Sequence, residues 1–447
     1  MEDKLYALLS LYKKSPYWLR YIVGKIYYSI PNVIKYGKFY NNYLLRIRNF
    51  NNEQKEELLK LQIQTATKNI PYYQDKNFKR LQDFPIVNKS TINSNFEEFF
   101  DYKSNFKLKT NTGGSSGNPF EFYLEKGKSR PKEKAHFDWY WGQFGYNDGD
   151  KILMIRGESL PNNKLFEYEP IGNKLIISCY LVDDDNIAKV LYRINSFKPK
   201  FIHAYPSALS NILHILKNNG LKIQNSIEAI FLGSEGLIDN NRKIFNEFFN
   251  ARIVHWYGHS ERLIHAGNCP YSDNFHIFPF YGHVELVDDD DREIKAPHVK
   301  GRIIATGFDN KVMPLIRYDT GDEAEYAEEI FCKCGFKGKS FSSIHGRAQD
   351  YVYLDNKSKV SLTAFIFGQH FDEFSKIIEM QLEQHDYGKV LIRLRVANDF
   401  QKSNGISFKK KLESSVNNKI KIDIKIVDFI PKTIRGKHQF LLQQISD

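Results

Sequence analysis

Cysteine, methionine and tryptophan are scarce in this chain, four of each in 447 residues. So few cysteines exclude a disulfide-built scaffold. No apolar run approaches the ~18–20 residues of a membrane-spanning helix. The opening stretch, MEDKLYALLSLYKKSPYW, begins acidic and lacks the small-residue cleavage site of a secretory signal. A cytoplasmic, reducing location is the expectation. Gly-x-Ser-x-Gly is missing, so a Ser/His/Asp hydrolase is not supported. There is no internal repeat, zinc-finger spacing, RNP-type aromatic signature or basic helix with a zipper. The net charge of +11, read as spread along the chain, therefore does not indicate a nucleic-acid partner.

What is present is a large α/β pattern. The first 75 residues read as helical. LYALLSLYKKSPYWLRYIVGKIYYSI mixes aromatics and aliphatics with Lys13, Lys14, Arg20 and Lys25. Such a helix packs on a main domain with its charges solvated, or lies on an anionic membrane surface at the inner face; the first is the expectation. NNEQKEELLKLQIQTATKNIPYY is a helix that stops before Pro71. From about 105 to 345, buried-strand runs such as DKILMIR, IEAIFLGSE and ARIVHWYG alternate with helical ones, which predicts α/β layers with largely parallel pairing. HVELVDDDDREI and GRIIATGF read as antiparallel hairpin strands. After residue 346, KVLIRLRVA, FKKKLESSVNN and KIKIDIKIVDFI predict a small α+β unit. The divisions expected are 1–75, 76–345, a hinge at 346–350, and 351–447.

One loop carries chemistry. In KTNTGGSSGNPFEF, small residues let backbone N–H groups converge on an anion while hydroxyls add donors. It lacks the Gly-Lys-Ser/Thr ending of a Walker A loop, and alone it equally suits a flexible connector. Four further segments follow it in order: WYGHSE, RYDTGD, HGRAQD and PKTIRGKHQF.

Together these resemble the motifs of the adenylate-forming superfamily, which includes acyl-CoA synthetases, luciferases and nonribosomal adenylation domains. Within it, IPYY, IHAYPSAL, FLGSEGL and GRAQDYVYL resemble the phenylacetate-CoA ligase branch and its CapK-like capsular polysaccharide biosynthesis proteins. The resemblance implies a large layered α/β N-terminal domain and a small mobile α+β C-terminal domain. It implies that Thr112, Gly113, Gly114, Ser115, Ser116 and Gly117 grip the ATP phosphates. Tyr257 would stack on adenine with Gly258 beside it in the nucleotide site, Ser260 would reach the α-phosphate, and Glu261 would bind Mg²⁺. Asp322 would hold the ribose and Arg347 would lie near it. Ser234 and Glu235 would line the nucleotide and acyl pocket, and His203, Tyr205, His255 and Trp256 the acyl pocket. Gln349 and Asp350 would form the pivot, and Lys437 would neutralise charge as a carboxylate attacks the α-phosphate.

Two positions depart from the family pattern. Asn118 stands where the phosphate loop has Lys, and Gln349 where the pivot has Asp or Lys. These departures keep open a non-catalytic relative that binds a nucleotide or partner. The reaction implied is ATP-dependent formation of acyl-AMP from a small-molecule carboxylic acid, then transfer to CoA or to an amine on a sugar or glycan. YVYLDNKSKVSLTAFIF, after the hinge, lacks the Gly-rich segment with which CoA ligases frame the thiol entrance, which leaves the amide-forming route open.

Cys269, His276, Cys332 and Cys334 form a second pattern. Thiolates and imidazole are what structural Zn²⁺ takes in closed tetrahedral sites. The alternative is free cysteines in turns. Cys179, in the apolar IISCYL, is expected in the core.

Overall fold

A computed structural model describes residues 9–74, 78–111, 121–156, 160, 164–237, 239–328, 331–347, 351–355, 357, 359–361, 365–366, 371–416, 418–431 and 439–445. The chain divides into two compact units. One comprises Met1–Ile152, Tyr168–Lys174 and Arg252–Ile344; the other comprises Leu153–Glu167, Leu175–Ala251 and His345–Asp447.

The first unit begins with helices. The long helical run read at the start breaks at Pro16, giving Leu9–Lys14 and Tyr17–Ser29. A proline cannot donate into a helix interior, so it stands at the N-terminal flank instead. Pro31 plays the same part before Asn32–Tyr36. Asn51 caps the helix Asn52–Asn69 by accepting from the Gln54 N–H at 2.9 Å. That helix ends at Ile70, which is extended because Pro71 follows. Its Leu59, Ile63 and Ala66 sit in one core with Tyr73, Phe84 and Phe99.

Helix Lys38–Asn49 packs along helix Ser129–Gly142. Buried charges at this seam are paired, as burial demands. Arg46 donates two hydrogen bonds to Asp309, at 2.7 and 2.8 Å. The buried Lys132 ammonium lies 3.5 Å from Asp309 and donates to the Tyr281 carbonyl at 2.9 Å.

The strands of this unit run in the order Glu293–Ile294, Gly282–Val287, Lys300–Gly307, Tyr318–Tyr326, Ser340–Arg347, Ser272–Ile277, His265–Cys269 and Arg252–Gly258. The pairings resolved along this order are antiparallel. Here the expectation of largely parallel pairing is corrected, while the antiparallel reading of Gly282–Val287 and Lys300–Gly307 holds. The connections are too short for the crossover a parallel pair needs: Cys269 and Ser272 face each other across a tight hairpin.

In the second unit the parallel reading holds. Phe201–Ala204 and Ala229–Leu232 pair in parallel, every residue of both buried, with helix Pro206–Asn218 between them in sequence. The C-terminal part is an α+β layer with its own core of Leu382, Ile392, Phe408, Leu412 and Ile422. Ile377–Asp386 and Lys389–Val396 form a hairpin; Lys421–Ile426 and Leu441–Gln443 add in parallel on either side. Cys179 is buried.

Candidate active site

Strand Arg252–Gly258 delivers Tyr257, and the turn beyond it delivers Glu261. That turn is closed by the Arg262 N–H donating to the His259 carbonyl at 3.1 Å, with Arg262 at φ +60. Glu261 is consequently aimed inward and is 6% exposed. Two side chains hold its carboxylate: Tyr318 donates to Oε1 at 2.8 Å and His259 Nδ1 bonds Oε2 at 2.9 Å. Burial disfavours the charged form, but the His259 charge and these two hydrogen bonds outweigh it and hold Glu261 down at about 2. An ionised carboxylate is the ligand that Mg²⁺ selects.

Asp322 comes from strand Tyr318–Tyr326 through an irregularity. Between the pairs Ile304↔Asp319 and Arg302↔Glu323 the ladder shifts register. Gly321 sits in that bulge at φ +75, a conformation a side chain would strain. Thr320 anchors the bulge by donating to the Ile303 carbonyl at 3.0 Å. Asp322 is thereby placed to accept from the Tyr257 hydroxyl at 2.6 Å. Burial, and then the Asp322 charge, push the Tyr257 phenol well up, so it remains a donor. Tyr257 and Asp322, expected from two motifs, form one hydrogen-bonded pair, and Glu261, from the first of those motifs, forms a second hydrogen-bonded group with His259 and Tyr318, the His259 ring centroid 6.4 Å from that of Tyr257. Ser260 and Gly258 are exposed.

Neither His259 nor Tyr318 is given a role by the motifs, and His259, which the sequence offers no partner, finds one in Glu261. Tyr318 is the aromatic of RYDTGD itself, so the signal was in the quoted motif. His259 fills the variable position of the Tyr-Gly-x-Thr-Glu pattern and carried none.

His255 and Trp256 do not line a single wall. Neighbouring residues of a strand face opposite sides of the sheet. The His255 ring lies 5.2 Å from Phe275, whereas Trp256 lies 5.4 Å from Phe137 and 5.8 Å from Trp141. In the second unit, His203 is buried on its strand and Tyr205 lies under Arg156 at 5.1 Å. Ser234 is exposed at φ +69, a left-handed position rare for a residue with a side chain; Glu235 beside it is half-buried. Thr112 to Gly117, Asn118, Gln349, Asp350 and Lys437 lie outside the described residues, as does the side chain of Arg347.

The second pattern converges. Cys269 ends one strand of a hairpin and His276 lies in the other, while Cys332 and Cys334 are the first and third residues of a turn closed by the Gly335 N–H donating to the Cys332 carbonyl at 2.9 Å. Cys269 and Cys332 sulfurs are 3.4 Å apart, Cys334 Sγ is 3.4 Å from His276 Nε2, and all four ligand atoms lie within 4.8 Å of one another. A zinc ion with Zn–S bonds of about 2.3 Å spaces thiolates about 3.8 Å apart, so the donor set fits. His276 Nδ1 bonds Ser340 Oγ at 2.8 Å, an outer-shell bond of the kind that fixes the ring with Nε2 toward a metal.

The fold is that of the adenylate-forming ligases. It superposes on 2-hydroxyisobutyryl-CoA ligase, solved in the postadenylation state with R3-HIB-AMP, at a TM-score of 0.68 and 14% identity, over 90% of this chain and 92% of that one. Residues 352–444 match the family of the CapK C-terminal domain. Protein CapK of Staphylococcus aureus is 26% identical over 98% of this chain and 99% of its own length. A phenylacetate-coenzyme A ligase of Thermus thermophilus is 28% identical over 36% of this chain and 37% of its own. The chain is thus similar end to end to CapK, similar over about a third of its length to a phenylacetate-CoA ligase, and shares its fold with an adenylate-forming CoA ligase.

Proposed function

We propose that the chain activates a carboxylic acid with ATP, forming acyl-AMP and pyrophosphate, and passes the acyl group to a nucleophilic acceptor. The observation that carries this reading is Glu261, buried yet held ionised by Tyr318 and His259. A solitary buried carboxylate would neutralise itself; this one is built to present charge, as a ligand for the Mg²⁺ of MgATP requires.

In this reading Asp322 takes the ribose hydroxyls and Tyr257 orients Asp322 while stacking on adenine. Residues 112–117 grip the phosphates, and Ser260 reaches the α-phosphate. The substrate carboxylate attacks that phosphorus in line, pyrophosphate leaves, and Lys437 neutralises the charge that develops. The 346–350 segment serves as the hinge for the second step. Cys269, His276, Cys332 and Cys334 hold a structural zinc that ties two strands to the loop beyond them.

CoA is one acceptor. An amine on a sugar is favoured by the end-to-end similarity to CapK and by the missing Gly-rich segment after the hinge. The place of the enzyme would then be surface-polysaccharide synthesis. ATP–pyrophosphate exchange across a panel of carboxylic acids tests the first step, and trapping the acyl-AMP with CoA or an amino sugar tests the second. Exchange that no acid stimulates would overturn the reading.

A further inference from the structure

The positive charge is not evenly spread once the acids are counted. Leu9 to Asn52 holds eight Lys or Arg and no Asp or Glu, so this short segment contributes most of the net +11. Lys35 and Arg46 are consumed by Asp148 and Asp309. Lys14, Lys25, Lys38 and Arg48 are exposed.

Helix Tyr17–Ser29 has two unlike faces. One is fastened to the body of its unit. Gly24 has no room for a side chain, since a Cβ there would stand 2.5 Å from the Pro170 Cβ. Tyr28 donates to the Ile171 carbonyl at 2.5 Å, and Tyr12, just before the helix, donates to Glu169 at 2.9 Å. These contacts fix the rotation of the helix. The other face carries Trp18, Ile22 and Ile26, spaced four apart on one stripe and 63%, 47% and 55% exposed, with Tyr21 beside them. The Lys25 ammonium sits over the Tyr21 ring at 4.9 Å, on the rim of the stripe.

We infer that this face docks on an anionic lipid surface. An aromatic and aliphatic stripe rimmed by lysine, with no acid anywhere along the segment, is complementary to anionic headgroups over an apolar interior. Trp and Tyr are the side chains that favour that boundary. The helix has 13 residues, about 20 Å, and among the described residues no helix is long and apolar enough to cross a membrane. It therefore lies in the interface rather than through it. A polyanion such as nucleic acid would use the lysines but leave the Trp18–Ile22–Ile26 stripe in water.

Co-sedimentation of the full chain with vesicles decides the matter. Phosphatidylcholine vesicles doped with phosphatidylglycerol should pull the chain down; pure phosphatidylcholine should not, and raised salt should release it. Trp18→Glu/Ile22→Glu should abolish binding, and Lys14→Glu/Lys25→Glu should weaken it roughly five-fold or more per lysine, both with thermal stability and pyrophosphate exchange unchanged. Tyr192→Glu, at a residue 74% exposed in the other unit, should bind as the parent does. The inference fails if the parent ignores anionic vesicles or if both double variants sediment as it does. It also fails if the chain is a dimer that Ile22→Glu dissociates, which would make the stripe a contact between two copies.

Discussion

The phenol of Tyr318 donates to Glu261 at 2.8 Å from the first residue of the strand that, four residues on, supplies Asp322. One strand therefore positions both carboxylates of the site, one through a hydrogen bond and one through a bulge. Tyr318→Phe keeps the ring and removes only the donor. A hydrogen bond to a charged group contributes about 1.5–3 kcal/mol, so acid-dependent pyrophosphate exchange should fall roughly ten-fold to a hundred-fold by that principle. The Mg²⁺ concentration needed for half-maximal rate should rise, while KM for the acid stays put. A variant with parental Mg²⁺ dependence would show that Tyr318 does not serve Glu261.

How much of this was legible in advance divides along physical lines. Tyr257, Glu261 and Asp322 could be picked out because each lies in a short motif, and of the three only Glu261 is aimed by a local turn, the one that Arg262 closes. The strands Phe201–Ala204 and Ala229–Leu232 were readable from their unbroken apolar runs. The antiparallel pairing around Arg252–Gly258 was not, because period-two burial looks the same whichever way the neighbouring strand runs. The Gly321 bulge was hidden because the register shift arises from strand pairing, and the bond of His259 to Glu261 because it depends on the turn that Arg262 closes. The four zinc-type ligands were visible as two clusters. Only the hairpin register and the Cys332–Gly335 turn bring them together.

Lys437→Ala separates chemistry from binding. If Lys437 neutralises charge only as the α-phosphate is attacked, its loss should lower the exchange rate by on the order of a hundred- to a thousand-fold. ATP affinity, read by equilibrium binding, should change little. Equal losses in both would make Lys437 a nucleotide-binding residue instead.

Asn118→Lys restores the charge that the phosphate loop of the family carries. A lysine there would add a point charge on the pyrophosphate portion of ATP. The KM for ATP should fall several-fold, consistent with a phosphate contact of about 1 kcal/mol, with kcat less affected. An unchanged KM would mean that residue 118 does not face the phosphates.

The cluster at Cys269, His276, Cys332 and Cys334 predicts stoichiometric zinc in the purified chain, measured by elemental analysis. Cys332→Ser should lose the metal and several kcal/mol of stability, since metal binding at a structural site is folding free energy. Cys179→Ser, in the core away from the cluster, should keep the metal. Zinc retained by Cys332→Ser would assign the ion elsewhere.

His136 and His265 are buried with ring centroids 4.3 Å apart, and neither ring has a hydrogen-bond partner for either nitrogen among the described residues. Burial, with Lys132 nearby, pushes His265 down to about 3; burial and then His265 itself push His136 well below its usual range. Both are neutral in the folded chain, whereas in the unfolded chain a histidine titrates near 6.5. Below that value the unfolded state binds more protons, so stability is fully present above about pH 6.5 and is lost as pH falls toward 3. The loss amounts to at most about 1.4 kcal/mol per pH unit for each histidine. Glu261, depressed from 4.5 to about 2, adds to the slope mainly below pH 5, so the window from 6.5 to 5 weights the histidines most heavily. His265→Leu removes an unpartnered polar ring from an apolar site, so it should cost little at pH 7. Urea unfolding across this window should show a shallower pH slope for His265→Leu than for the parent. Parallel slopes would mean that His265 is protonated, or hydrogen-bonded, in the folded chain.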